Sequence, residues 1–110
     1  IGKFIDKVVN LKNAKVEWIK MRSPDGYLIE LLKYHSHPQT LNKRNANSND
    51  LGCSHLAFTV EDIDQQCKLI KKLGGTITNS PALSNNSKVK VVYCHDPEGV
   101  LIELVEELNN

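Results

Sequence analysis

Apolar side chains alternate or run together over residues 15–22 (KVEWIKMR) and again over 27–34 (YLIELLKY), on either side of Ser23–Pro24–Asp25–Gly26. Proline presets φ at the second position of a turn and glycine suits the fourth, so two strands joined by a tight hairpin are predicted. The pattern returns at an offset of 73 residues: "SPDGYLIELL" (23–32) lies over "DPEGVLIELV" (96–105), and "KVEWIKM" (15–21) over "KVKVVYC" (88–94). Residues 88–94 and 100–106 therefore form a second hairpin, and the chain is built from two related halves.

The remaining pattern completes only the second half. "HLAFTV" (55–60) alternates as a strand, and Asp62 follows as an N-cap with Gln65 three positions on. Ile63, Cys67, Ile70 and Leu73, with Leu69 beside them, make an apolar helical stripe that Gly74–Gly75 ends. "GTIT" (75–78) reads as a short strand and "SPALSNNS" (80–87) as a loop. The first half shows its last two strands, with "KFIDKVV" as the remnant of a third. Residues 35–50 are polar and read as a linker. The expected layout is 1–34, the C-terminal part of module one, then the linker 35–50, then 51–110 as a complete module two.

Side chains alternate along a strand, so Leu28, Glu30 and Leu32 share one face and Ile29 and Leu31 the other. Leu101, Glu103 and Val105 face opposite to Ile102 and Leu104 in the same way. One face of each strand is suited to packing on a helix, while the other is apolar around a central carboxylate. A lone glutamate of this kind usually faces water. Two at the same register change the reading, because an ionised carboxylate among apolar neighbours needs a partner, a hydrogen bond or a cation. His55 is a companion: with Leu56, Phe58 and Val60 turned to the helix, His55, Ala57 and Thr59 share the open face. A lone histidine at a strand start is usually structural. Two carboxylates and an imidazole together form an N/O donor set for Zn, Ni, Co, Mn or Fe, and spacing does not choose among these metals.

Composition narrows the function classes. At 110 residues the chain is one domain, with 40% hydrophobic and 25% charged residues. A net charge of +1 with interleaved signs gives no field for nucleic acid or an anionic membrane. No apolar run approaches a membrane span of ~20 residues. Cys53, Cys67 and Cys94 are widely spaced and form no C-x-x-C pair, so reduced thiols in a cytoplasmic protein are expected.

The stretches "HLAFTVEDIDQQCKLIKKLGG" and "VVYCHDPEGVLIELVEE" resemble the second βαβββ module of the vicinal oxygen chelate superfamily, and "PDGYLIEL" resembles the last strand of the first. That superfamily includes glyoxalase I, methylmalonyl-CoA epimerase, extradiol dioxygenases, and the fosfomycin- and bleomycin-resistance proteins. The resemblance implies an α+β fold in which paired modules form a cupped mixed sheet with helices outside, module one being incomplete here. It maps metal ligands onto Glu30, His55 and Glu103, with Glu30 and Glu103 as the catalytic carboxylates. A divalent metal, a small-molecule substrate and a homodimer are implied with them.

Only 29 residues precede Glu30, too few for an opening strand and helix carrying a further histidine, so that ligand is expected upstream of Ile1. His35 and His37 read as solvated loop residues. His95, aligned with Arg22, reads as turn packing. The opposed glutamates favour glyoxalase-like proton transfer by a lyase or isomerase. The alternatives are an extradiol-type dioxygenase, which leaves Glu30 without a metal role, and a metal-free binding protein of the bleomycin-resistance kind.

Overall fold

The computed structural model describes residues 1–38, 45–52 and 55–108. Cys53 and part of the expected linker lie outside the described residues. The chain forms two compact units, Ile1–Leu41 and Asn42–Asn110.

The first unit holds helix α1 (Lys3–Val9) and an antiparallel hairpin of β1 (Val16–Arg22) and β2 (Leu28–Tyr34). "KFIDKVV" is thus helical, not the remnant of a strand. Its apolar residues satisfy an i, i+4 spacing (Phe4 and Val8, Ile5 and Val9) as well as an extended one. Asp6 decides between them, because its carboxylate accepts from the Asn13 and Ala14 amides at 2.8 Å each and folds the following loop back onto the helix. Asn10 ends the helix at φ 57°, a left-handed conformation that asparagine tolerates.

The second unit is a mixed sheet beneath one helix. Its elements are β3 (Leu56–Thr59), α2 (Ile63–Lys72), β4 (Thr76–Ile77), β5 (Ala82–Leu83), β6 (Val89–His95) and β7 (Leu101–Glu107). The order is β3-β7-β6-β4, with β5 also paired to β6. β3 runs parallel to β7, and the other pairings are antiparallel. The expected loop 80–87 thus carries a two-residue strand, because Ala82 and Leu83 reach ladder partners in Val91 and Lys90.

The repeat holds to the residue. β1 and β2, shifted by the sequence offset, have the bounds of β6 and β7, and the ladders share one register: Lys20 opposes Glu30 as Tyr93 opposes Glu103. Both turns are built alike. Gly26 donates to the Ser23 carbonyl at 2.9 Å and Gly99 to the Asp96 carbonyl at 3.0 Å, with φ at +96° and +89°. Each glycine is needed, since other residues strain at that φ.

The core lies between α2 and one face of the second sheet. Ile63, Cys67, Val92, Cys94 and Leu104 are buried, with Phe58, Val60, Ile70, Ile77 and Ile102 packed around them. Asp62 caps α2 by accepting from the Gln65 amide at 3.0 Å. Leu69 and Leu73, expected in the stripe, are exposed, so the buried face is the narrower i, i+4, i+7 row of Ile63, Cys67 and Ile70. Gly75 follows where the chain passes under the helix end. A Cβ there would lie 2.6 Å from the His95 carbonyl oxygen and 2.7 Å from Ile70 Cγ2.

Two measurements check this packing. Gly75→Ala is expected to lower unfolding free energy by about 1–3 kcal/mol in urea, the cost of forcing atoms into a close-packed site. Burial, with Asp64 adding to it, raises the Cys67 thiol pKa; burial, with Cys67 and Asp96 adding, raises that of Cys94. The folded chain therefore holds these protons more tightly than the unfolded one. Their stabilising contribution is whole below the ordinary thiol value of 9.0 and is lost as pH rises above it. Unfolding free energy should fall above that pH, and fall less in Cys94→Ala.

Candidate functional site

The parallel β3–β7 ladder builds the most chemically promising part of the molecule. Ala57 stands opposite Glu103, and Tyr93 opposes the same glutamate from β6. Directly opposed residues share a face, and His55 lies two positions before Ala57 on that face. His55 Nε2 comes 3.9 Å from Glu103 Oε1, with side chains 27% and 24% exposed. That distance is too long for a hydrogen bond. The Tyr93 ring meets the imidazole edge-on, with centroids 5.1 Å apart and planes at 85°. Imidazole, carboxylate and phenol thus gather at the centre of the face opposite the helix.

Glu30 lies in the first unit, where Lys20 Nζ sits 3.6 Å from its Oε1 and both side chains are about half exposed. Among the described residues no group of three or more His, Cys, Asp or Glu is gathered to hold a metal. The expected ligands therefore divide into His55 and Glu103 in one unit and Glu30, paired with Lys20, in the other. As donors, a nitrogen and a carboxylate oxygen held side by side suit a borderline divalent ion.

The other histidines are engaged differently. His95 is buried, and its Nε2 lies 2.6 Å from the Ala46 carbonyl, which only accepts, so Nε2 carries the proton. Nδ1 lies 3.4 Å from Thr76 Oγ1. Ala46 in turn donates to the Gly99 carbonyl at 3.0 Å, so His95 packs the second turn as expected. His35 is exposed and pairs with Glu17 at 3.0 Å. His37 is also exposed and lies 2.9 Å from the Ser36 hydroxyl.

The sequence reading did not single out Tyr93 or Lys20. The signal was present, because residues equidistant from a hairpin turn face one another. Counting back across each Pro-acid-Gly turn from Glu103 and Glu30 lands on Tyr93 and Lys20.

A parallel first-and-last strand pair, one helix behind it and a repeated C-terminal hairpin define the glyoxalase fold. Residues 3–104 match the Glyoxalase/Bleomycin resistance protein/Dioxygenase superfamily, and the chain belongs to that family. A glyoxalase family protein from Bacillus cereus superposes with a TM-score of 0.85 at 33% identity, over 98% of this chain and 72% of that one. A probable lactoylglutathione lyase of Vibrio cholerae is 35% identical over 52 residues, 47% of this chain and 38% of that protein. The lactoylglutathione lyase of Escherichia coli O157:H7 is 30% identical over 53 residues, 48% of this chain and 39% of that protein. The chain thus spans about two fifths of the length of these curated relatives. Among the described residues no helix is long and apolar enough to cross a membrane.

The His55–Tyr93 contact is checked by substitution. Tyr93→Leu removes the aromatic edge, and loss of about 1 kcal/mol of stability with displaced His55 ring resonances in NMR is expected. Tyr93→Phe keeps the ring and should leave those resonances in place.

Proposed function

We propose that this chain is part of a divalent-metal lyase or isomerase of the glyoxalase kind, moving a proton on a small oxygenated molecule. The observation that carries the reading is the His55–Glu103 pair, a nitrogen and an oxygen donor 3.9 Å apart on one sheet face. The names of the relatives, lactoylglutathione lyase among them, support the same class. A bound ion would be held by His55 and Glu103, and the family resemblance adds Glu30 to that ligand set. When bound, a divalent ion would supply Lewis acidity toward neighbouring substrate oxygens. Glu30 and Glu103 are the carboxylates that, in this reading, would take a proton from carbon and return it. Zn, Ni, Co, Mn and Fe all suit these donors, and homodimerisation and cytoplasmic residence belong to the same reading.

One observation favours a second reading. The Lys20 ammonium is already an ion-pair partner for Glu30, which suits an extradiol-type dioxygenase in which Glu30 has no metal role. A metal-free binding protein of the bleomycin-resistance kind is the remaining alternative.

Titration calorimetry with Zn²⁺, Ni²⁺ and Mn²⁺ separates these readings. Binding that disappears in His55→Ala and in Glu103→Gln supports a metal centre, and unchanged heats in both variants sink it. Glu30→Gln should lower turnover of a thiol–methylglyoxal adduct by about a hundredfold or more. Its stability should change by less than about 0.5 kcal/mol, because the Lys20 pair is exposed. Equal turnover in that variant removes Glu30 from the proton transfer.

A further inference from the structure

In the β1–β2 hairpin Lys20 opposes Glu30, and the next rung on the same face sets Trp18 against Leu32. The repeat makes this face equivalent to that of Tyr93 and Glu103. The second hairpin holds Val91 and Val105 where the first has Trp18 and Leu32, and Tyr93 where the first has Lys20. A cation and an indole on one sheet face are therefore peculiar to the first hairpin. Lys20 Nζ lies 3.6 Å from Glu30 Oε1. That is an ion pair longer than a hydrogen bond, which leaves the ammonium able to donate to a second acceptor.

These groups select a ligand by chemistry and by size. An indole stacks on flat rings, and an ammonium is a compact point charge for an anion. Residues two apart on a strand are separated by about 6.6 Å, so a ligand that meets both groups is short: a carboxylate, one carbon, then a ring. One ammonium that already shares its charge with Glu30 offsets a single negative charge, which suits a carboxylate better than a dianionic phosphate. With the ring on Trp18 and Leu32 and the carboxylate on Lys20, the joining carbon would lie beside Glu30.

We infer that the ligand of this face is a 2-aryl-2-hydroxy carboxylate, with Trp18 and Leu32 holding the ring and Lys20 the carboxylate. Trp18 and Lys20 are then the residues that set specificity. The inference deepens the lyase or isomerase reading and rests on it for the role of Glu30. A carbon between ring and carboxyl suits that role, because both groups delocalise the charge left when its proton departs. The hydroxyl on the same carbon completes the pair of neighbouring oxygens that the proposed chemistry calls for.

Trp18 is the single tryptophan of the chain, so its fluorescence reports on this face directly. The 110-residue chain, with chelator present, is titrated with mandelate and with mandelamide, its neutral counterpart, at equal ionic strength. Mandelate is expected to bind about threefold more tightly, within the range an exposed ion pair supplies, with the preference shrinking at high salt. Lys20→Met should abolish the preference, and Glu30→Gln, which removes the competing carboxylate, should widen it. Hexahydromandelate, whose ring is saturated, should bind more weakly than mandelate. Absence of a saturable fluorescence change, equal affinity for acid and amide, or a preference that survives Lys20→Met would overturn the inference. Neither metal nor turnover enters the measurement, so the two proposals fail separately. A chain that prefers mandelate but binds no divalent ion loses the lyase reading and keeps this site; one that binds the ion without the preference does the reverse.

Discussion

Everything at the candidate site depends on four parallel ladder pairs, Leu56–Ile102 through Thr59–Val105. Without them His55 has no fixed relation to Glu103. The pairing also sets parity. It turns Phe58 and Leu104 toward the α2 side and leaves Ala57 and Glu103 on the other. A slip of one residue between β3 and β7 would exchange those faces, burying a carboxylate under the helix and exposing the core. The apolar requirement of the α2 side therefore holds the register, and the register holds the donors together. Packing on one side of the sheet is what positions chemistry on the other.

The halves show how far side chains diverge on a common backbone. Tyr93 becomes Lys20, so one glutamate faces a phenol and the other an ammonium. His95, buried against the Ala46 carbonyl, becomes Arg22, whose guanidinium donates to the Gly26 carbonyl at 3.0 Å. Asp96, which accepts from the Glu98 and Val100 amides, becomes Ser23, whose hydroxyl accepts from Tyr27. In each case the turn or strand geometry survives because the ladder and the glycine carry it. The side chains are left free to specialise.

Both hairpins were legible because proline, acid and glycine at fixed offsets dictate one turn, and the turn dictates the register. α2 was legible from its cap and its glycine stop. The helical state of "KFIDKVV" was not, because seven residues with paired apolar positions satisfy either period and the deciding bond runs from Asp6 to a loop further along. β5 was missed because two residues carry no periodicity, and only the ladder partner makes them a strand. The exposure of Leu69 and Leu73 depends on how narrow a row the sheet can cover, which the helix sequence alone does not state. At the site, parity on β3 and β7 put His55 and Glu103 on one side in advance. The Lys20 contact to Glu30 follows from the same register across the first turn.

The ladder joining β3 to β7 has a kinetic corollary. Each hairpin closes over a turn of a few residues, a local event with a small entropic penalty. The β3–β7 pairing spans the helix and every other strand of its unit, with 46 positions separating each matched pair. Long-range parallel pairing of this kind forms late, after local structure has brought the ends together. The imidazole and the carboxylate therefore meet only when the unit is nearly complete, and their proximity reports on finished folding rather than on any one element.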